Sequence, residues 1–210
     1  MQPTGRFITV EGTEGVGKST NIAFIKALLE SSGVEVVLTR EPGGTPLAEE
    51  IRALLLSPRQ ELVNDDAEML LVFAARAQHI DQVIKPALSR GAWVLSDRFT
   101  DATFAYQGAG RGISWERIKL LESFVQAGLS PDLTVWLDLD VEVGMERAMA
   151  RSEPDRFELE KKTFFEKVRA GYQRRCDEDP DRFAVIDASH SLAVVQQEIA
   201  RALKERLHLA

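Results

Sequence analysis

Ten residues near the start of the chain limit what it can become: Glu11-Gly12-Thr13-Glu14-Gly15-Val16-Gly17-Lys18-Ser19-Thr20. They match G-x-x-x-x-G-K-[ST] at Gly12, Gly17, Lys18 and Ser19. Phe7-Ile8-Thr9-Val10 before them reads as a buried strand. Ile22, Ile25, Leu28 and Leu29 after them recur at helical spacing. Strand, glycine loop and helix, in that order, are the context that makes this pattern a phosphate site. The glycines let backbone N–H groups converge on phosphate oxygens, and the helix start adds its positive dipole end. On this reading residues 12–20 cradle a nucleoside triphosphate such as ATP. Lys18 reaches its β- and γ-phosphates, and the Ser19 hydroxyl holds Mg²⁺. A plain glycine-rich turn would leave four fixed residues in the right context without a reason.

The remaining limits come from composition. A chain of 210 residues fits one α/β domain, here expected over 1–210, and 44% apolar residues can fill its core. The net charge of −7 lacks the basic footprint of a nucleic-acid binder, so phosphates must be met by local arginines. The single cysteine, Cys176, cannot form an internal disulfide and fits a reducing compartment. Met1 to Arg6 carries no long apolar stretch of a signal peptide, and no run reaches the length of a membrane span. These features predict a cytoplasmic protein with neither nucleic acid nor membrane as partner.

Short apolar runs alternate with helical patterns throughout, which predicts a parallel sheet wrapped by helices. Strands are expected at Phe7–Val10, Val34–Thr39, Ala92–Ser96, Leu133–Asp138 and Phe183–Asp187. The second strand ends in the turn-rich Arg40-Glu41-Pro42-Gly43-Gly44, where open α/β sheets place ligands; a turn with two solvated charges is the plainer alternative. A short helix carries Arg52. A longer one has Leu70, Leu71, Ala74, Ala77, Ile80 and Ile84 as its apolar face and should kink or end at Pro86. Arg76 sits within that helix, one turn from Phe73. From composition alone, Phe73 is core and Arg76 snorkels outward.

The third strand delivers Asp97-Arg98. An acid at that place in a P-loop chain can serve the Mg²⁺ shell, and the arginine suits bidentate phosphate recognition. A structural ion pair is the alternative. Thr100 to Tyr106 is expected to be helical and Gln107–Gly112 a flexible loop. Arg147, Arg151 and Arg156 bracket Ser152-Glu153-Pro154-Asp155, as a mobile phosphate lid over about 147–158 would require; a solvated helix-turn-helix is the alternative. Helices are expected over Glu158–Glu178 and through Val195, Ile199, Leu203 and Leu207.

A P-loop alone does not say what is done with the nucleotide. No guanine-reading N-K-x-D occurs, which counts against a small GTPase switch. A second set of cations, Arg40, Arg52, Arg76 and Arg98, implies a second phosphorylated ligand and hence a small-molecule phosphotransferase. A nucleotide-binding switch that signals by shape is the rival.

Seven stretches make the resemblance specific: the P-loop, Thr39-Arg40-Glu41-Pro42-Gly43-Gly44-Thr45, Phe73-Ala74-Ala75-Arg76, Asp97-Arg98-Phe99, Ala105-Tyr106-Gln107-Gly108, Pro131-Asp132-Leu133-Thr134 and Asp155-Arg156-Phe157-Glu158. With these the chain resembles the bacterial thymidylate kinases over nearly its whole length. The resemblance implies a five-stranded parallel sheet, a homodimer, and transfer of the γ-phosphate of ATP to dTMP with Mg²⁺, giving dTDP and ADP. It implies that Glu14 approaches the sugar 3′-OH, that Arg98 and Arg40 hold the acceptor phosphate and that Arg52 lines that site. Arg76 and Gln107 would meet the thymine edge with Thr103 close by, and Tyr106 would pack on the sugar. No cation other than Lys18 stands in the P-loop, so Arg151 would contact the transferring phosphoryl group, with Arg147 and Arg156 in support. The catalytic set would be Lys18, Asp97, Arg98 and Arg151, with Ser19 and Asp97 toward the metal. The chain departs from many relatives at Val72, where a base-stacking aromatic is usual and Phe73 is offered instead, and at Met149, where an arginine can stand.

Overall fold

The structure is a computed structural model and describes residues 5–150 and 155–209. Five strands form one sheet: β1 (Phe7–Glu11), β2 (Val36–Arg40), β3 (Trp93–Asp97), β4 (Leu133–Asp138) and β5 (Phe183–Asp187). Their order is β2-β3-β1-β4-β5 and every pairing is parallel. Parallel neighbours need crossovers, and the helices supply them. α1 (Lys18–Ser31) and α9 (Leu192–Leu207) cover one face. Ile8, Val10, Leu133, Val135, Leu137, Ala184 and Ile186 point to these two helices. The alternate residues Phe7, Trp136 and Phe183 point to the opposite face, as period-2 side-chain alternation demands. Val195, Ile199, Leu203 and Leu207 form the buried stripe of α9, in agreement with their spacing.

The opposite face is built from α3 (Asp65–His79), α4 (Lys85–Ser89), α5 (Thr100–Thr103) and α8 (Lys162–Glu178), with α2 (Pro46–Leu56), α6 (Trp115–Gln126) and α7 (Val141–Met149) around it. Two π-helical segments interrupt it, Ile80–Ile84 after α3 and Phe104–Gly110 after α5. The first explains why the chain stays helical through Pro86. Wider i→i+5 turns directly before α4 take up the break in the hydrogen-bond ladder that proline brings.

Several expectations are corrected. Gln107–Gly110 is not a flexible loop but the end of the second π-helical segment, and Gln107 and Gly108 are buried. Its small residues are there for packing: a Cβ on Gly110 would stand 2.6 Å from the Phe164 ring, and one on Gly171 of α8 would stand 2.8 Å from Ala105 Cα. The apolar face assigned to α3 is also turned. Leu70, Ala74 and Ala77 are exposed, whereas Glu68, Met69, Val72, Phe73, Ala75, Arg76 and His79 are buried. Arg76 does not snorkel; it is 1% exposed. α8 begins at Lys162 and not at Glu158, because residues 156–159 form turns in which Asp155 Oδ1 accepts from the backbone N–H of Phe157 and Glu158.

Candidate functional site

The carboxyl ends of β1, β2 and β3 meet at one edge of the sheet, with Val10 opposite Asp97 and Asp97 opposite Arg40. What leaves each strand there forms one cavity of about 350 Å³. The P-loop contributes Glu14 to Ser19, the segment after β2 contributes Arg40, Glu41 and Pro42, and β3 contributes Asp97 and Arg98. Arg52, Val72, Arg76, Thr103, Tyr106 and Gln107 add to the wall, and Asp155, Phe157 and Glu158 border it. Thus Arg40, Arg52, Arg76 and Arg98, scattered over 59 positions of sequence, converge on one space.

The P-loop conformation is enforced by close backbone packing on α7. Gly15 has φ +74°, and a Cβ there would lie 1.9 Å from the Gly144 carbonyl oxygen. Within the loop, Lys18 Nζ donates to the carbonyls of Gly12 (3.2 Å) and Thr13 (2.8 Å) and lies 3.7 Å from Glu14. Burial and the nearby Arg98 charge pull the Lys18 ammonium below its ordinary pKa. Arg98 has φ +69°, a left-handed conformation costly for a side-chain-bearing residue. Two bonds hold it there: its N–H donates to Val10 O (3.0 Å), and Ser96 Oγ donates to its carbonyl (2.7 Å). The guanidinium lies 4.5 Å over the Tyr106 ring and donates to Glu14 Oε1 at 2.5 Å. Tyr106 Oη donates to the same oxygen at 2.9 Å. Burial alone would push the Glu14 carboxyl up, but Arg98, Lys18 and Tyr106 hold it at about 2.

Arg76 is anchored from all sides. Its Nε donates to Glu41 Oε2 (2.7 Å), Nη1 to Thr100 Oγ1 (3.0 Å), and Nη2 to Thr103 Oγ1 (2.9 Å) and Phe99 O (3.2 Å). Behind it, Glu41 Oε1 meets His79 Nδ1 at 2.8 Å, and His79 Nε2 meets Thr39 Oγ1 at 2.6 Å. Gln107 Nε2 donates to Glu68 Oε1 at 2.8 Å. Asp97 Oδ1 is buried and has no hydrogen-bond partner among the described residues. That is a fitting orphan for a cation or its water shell, and Ser19 lines the same cavity. No group of three or more His, Cys, Asp or Glu side chains among the described residues could hold a metal by itself.

Not every expected residue reaches the cavity. Phe73 lies beneath Arg76, 4.9 Å from its guanidinium, in a core cluster with Met69, Phe104 and Trp115; Val72 takes the wall position. Arg147 Nη1 donates to Ala188 O at 3.4 Å. Arg156 turns toward α2 and α3, donating to Leu55 O and to Glu68 Oε2, both at 2.7 Å. Arg151 lies outside the described residues. Arg40 does line the cavity, half exposed and paired with Glu49 at 2.7 Å.

Glu11, Glu41, Glu68 and His79 are polar parts of the site that the sequence reading did not single out. One signal was available for α3: Glu68, Val72, Arg76 and His79 recur at helical spacing on one face.

Comparisons with known proteins place this fold in a family. The family model described as thymidylate kinase matches residues 10–199. The chain belongs to the thymidylate kinase family. It is 64% identical to a thymidylate kinase of Teredinibacter turnerae over 201 residues, covering 96% of this chain and 98% of the relative. It is 61% identical to one of Hahella chejuensis, covering 97% and 98%. Among solved structures it is similar to the thymidylate kinase of Ehrlichia chaffeensis, with a TM-score of 0.77, 34% identity, and coverage of 96% of this chain and 99% of that one. In this thymidylate kinase fold, no helix among the described residues is long and apolar enough to cross a membrane.

One buried carboxyl beside the site has a consequence for stability. Glu11 accepts from the Phe99 N–H (2.8 Å) and Tyr172 Oη (2.9 Å). Burial first, and the Asp101 charge second, raise it to about 8. A carboxyl whose folded pKa is raised contributes stability that is complete below the unfolded value, near 4.5, and is lost as pH rises toward about 8. Glu11→Gln is neutral at every pH and can serve both neighbours. It is expected to match the parent at pH 5 and to be the more stable at pH 8. The gap should grow by up to about 1.4 kcal/mol per pH unit. Urea denaturation at the two pH values measures it; equal pH dependence in both proteins would show that Glu11 does not carry the titration.

Proposed function

We propose that this thymidylate kinase transfers the γ-phosphoryl group of ATP to dTMP with the residues that line the cavity, each in a definite role. The observation that carries the base assignment is the polarity left over at Arg76 and Gln107. A guanidinium has five N–H groups, and Arg76 commits four of them to Glu41, Thr100, Thr103 and Phe99. One donor on Nη1 remains. Gln107 gives its amide nitrogen to Glu68 and keeps Oε1 as an acceptor. One donor beside one acceptor suits the O4 and N3–H edge of thymine. Cytosine offers the reverse pattern. Thr103 sits close to the base, and Tyr106, fixed by Glu14 and Arg98, borders the sugar. Glu14 is the carboxylate for the 3′-OH.

Arg98, Arg40 and Arg52 hold the acceptor phosphate, whose oxygen is ionised at neutral pH and needs no strong base. Lys18 and the backbone N–H groups of residues 12–20 hold the donor phosphates. Ser19 and Asp97, whose buried Oδ1 has no partner among the described residues, would hold Mg²⁺, which when bound would neutralise charge on the donor phosphates. Arg151 approaches the transferring group from a lid spanning about 147–158, with Arg147 in support, while Arg156 stays bonded to Glu68. Closure excludes water, so that transfer outruns hydrolysis. A second copy of the chain would cover the exposed apolar strip of Leu70, Ala74, Leu120 and Phe124 on α3 and α6, making a homodimer. The enzyme would serve dTTP supply in the cytoplasm.

ADP release from MgATP with dTMP, dCMP, dGMP, AMP or no acceptor tests the base assignment. A site built to pair a substrate N–H rejects the analogue lacking it strongly. The expected preference for dTMP over dCMP is therefore at least about 10³-fold in kcat/KM. Comparable use of dCMP would remove Arg76 and Gln107 from base reading.

A further inference from the structure

We infer that Glu68 is the residue that sets the enzyme's choice of pyrimidine, by fixing which end of the Gln107 amide faces the substrate. This rests on the reading of Gln107 given above. Glu68 lies on α3 and is fully buried. Its Oε1 accepts from Gln107 Nε2 at 2.8 Å and from Arg111 Nε at 3.3 Å. Its Oε2 accepts from Arg156 Nη2 at 2.7 Å and from Arg111 Nη2 at 3.4 Å. A carboxylate has acceptors only, so the amide nitrogen of Gln107 must turn to it and the amide oxygen must turn away. The two arginines make that arrangement permanent. Guanidinium groups have donors only and cannot exchange roles with Gln107. Of the three groups around Glu68, only Gln107 is able to invert.

This asymmetry defines the outcome of a one-atom change. In Glu68→Gln one carboxylate oxygen becomes an NH₂ group, and a single acceptor oxygen must serve all the surrounding donors. Arg111 and Arg156 cannot reverse, so that oxygen goes to them. The new NH₂ group then faces Gln107, whose amide turns over to accept from it. Gln107 afterwards presents N–H groups to the substrate, which oppose the N3–H of thymine and suit the N3 lone pair of cytosine. Arg76 still offers its donor to the neighbouring exocyclic position, where it suits O4 and not the amino group of cytosine. The specificity is therefore eroded, not fully reversed.

The test compares kcat/KM for dTMP and dCMP in the full-length wild type, Glu68→Gln, Glu68→Asp and Gln107→Leu. Glu68→Gln should lower the dTMP to dCMP ratio by about 10- to 100-fold, mainly through KM. Glu68→Asp keeps a carboxylate and should keep the ratio within a few-fold even if its overall rate falls. A merely structural or lid-tethering role for Glu68 would scale both acceptors alike and leave the ratio of Glu68→Gln unchanged, which would overturn the proposal. Gln107→Leu separates the two layers of the argument. If it leaves the ratio intact, the reading of Gln107 itself fails; if it collapses the ratio while Glu68→Gln does not, only the role of Glu68 fails. Should Glu68→Gln not fold, loss of the ratio in a folded Glu68→Asp protein would equally count against the proposal.

Discussion

Arg98→Ala is expected to lower kcat/KM for dTMP by at least about 10³-fold while leaving MgATP binding nearly intact. Removal of a charged group preorganised for a phosphoryl oxygen costs losses of that size. Two effects add at this position. The acceptor phosphate loses a planar fork already aimed by the unusual backbone at φ +69° and by the Tyr106 ring beneath it. Glu14 loses the larger of the two positive charges that hold its carboxyl at about 2 against the upward push of burial. Its carboxyl then rises, and Tyr106, bonded to the same oxygen, loses its fixed partner. Arg98→Lys should recover little, because one ammonium cannot span Glu14 and a phosphate in the same plane. Steady-state kinetics with dTMP, alongside titration with a fluorescent ATP analogue, checks the split. A loss under ten-fold would place Arg98 outside the reacting centre.

The second large effect concerns the fold. Asp101, on α5, is fully buried and accepts from Arg182 Nη1 (2.6 Å) and Nη2 (3.0 Å) and from Arg175 Nε (2.8 Å). Arg182 Nη1 also donates to Thr134 Oγ1, so the cluster ties α5 to β4, α8 and the start of β5. Asp101→Asn keeps the shape but leaves two arginines facing a neutral amide that must place an NH₂ group against one of them. Breaking a buried pair in this way costs about 3–5 kcal/mol. Chemical denaturation should show that loss as a lower midpoint at unchanged slope. The pH dependence provides an internal check. Burial pushes the Asp101 carboxyl up, but Arg182 and Arg175 prevail and hold it below its ordinary value near 3.8. Its stabilisation is thus present above that value and is lost as pH falls through the folded pKa. The variant should lack this acid-side loss. A destabilisation under about 1 kcal/mol would mean that the arginines find other partners.

The two predictions also mark where the sequence was readable. Lys18, Ser19, Asp97 and Arg98 announced themselves because local order specifies them: the first two open the helix after a strand and a glycine loop, the last two close an apolar strand, and a parallel sheet brings such strand ends together. Asp101 and Glu68 did not, since their partners lie 81 and 39 positions away and no local pattern encodes such a pairing. Arg76 was readable as an anomaly but not as a buried group, because Glu41, its counter-charge, sits in what reads as a solvated turn. Gln107–Gly110 was misread for a related reason. Two glycines in four residues resemble a loop by composition, whereas here Gly108 and Gly110 allow Trp115 and Phe164 to approach the backbone. α3 misled in a third way. Its exposed leucine and alanines are as hydrophobic as a core stripe, and only the buried Glu68, Arg76 and His79 reveal which side faces inward.

The π-helical segment at Phe104–Gly110 restricts how this gene can vary. A π-turn carries one residue more than the α-turn it replaces, and Tyr106 and Gln107, inside this segment, line the cavity together with Thr103. Loss of a single codon ahead of Gln107 would remove that surplus, restore the narrower winding and change where Gln107 stands relative to α5. Gln107 would leave Glu68, and the small residues that admit Phe164 would no longer meet it. Point changes at individual positions can be sampled one at a time, but a change in length cannot. Along these seven residues the winding tolerates an exchange of side chain more readily than a change in length.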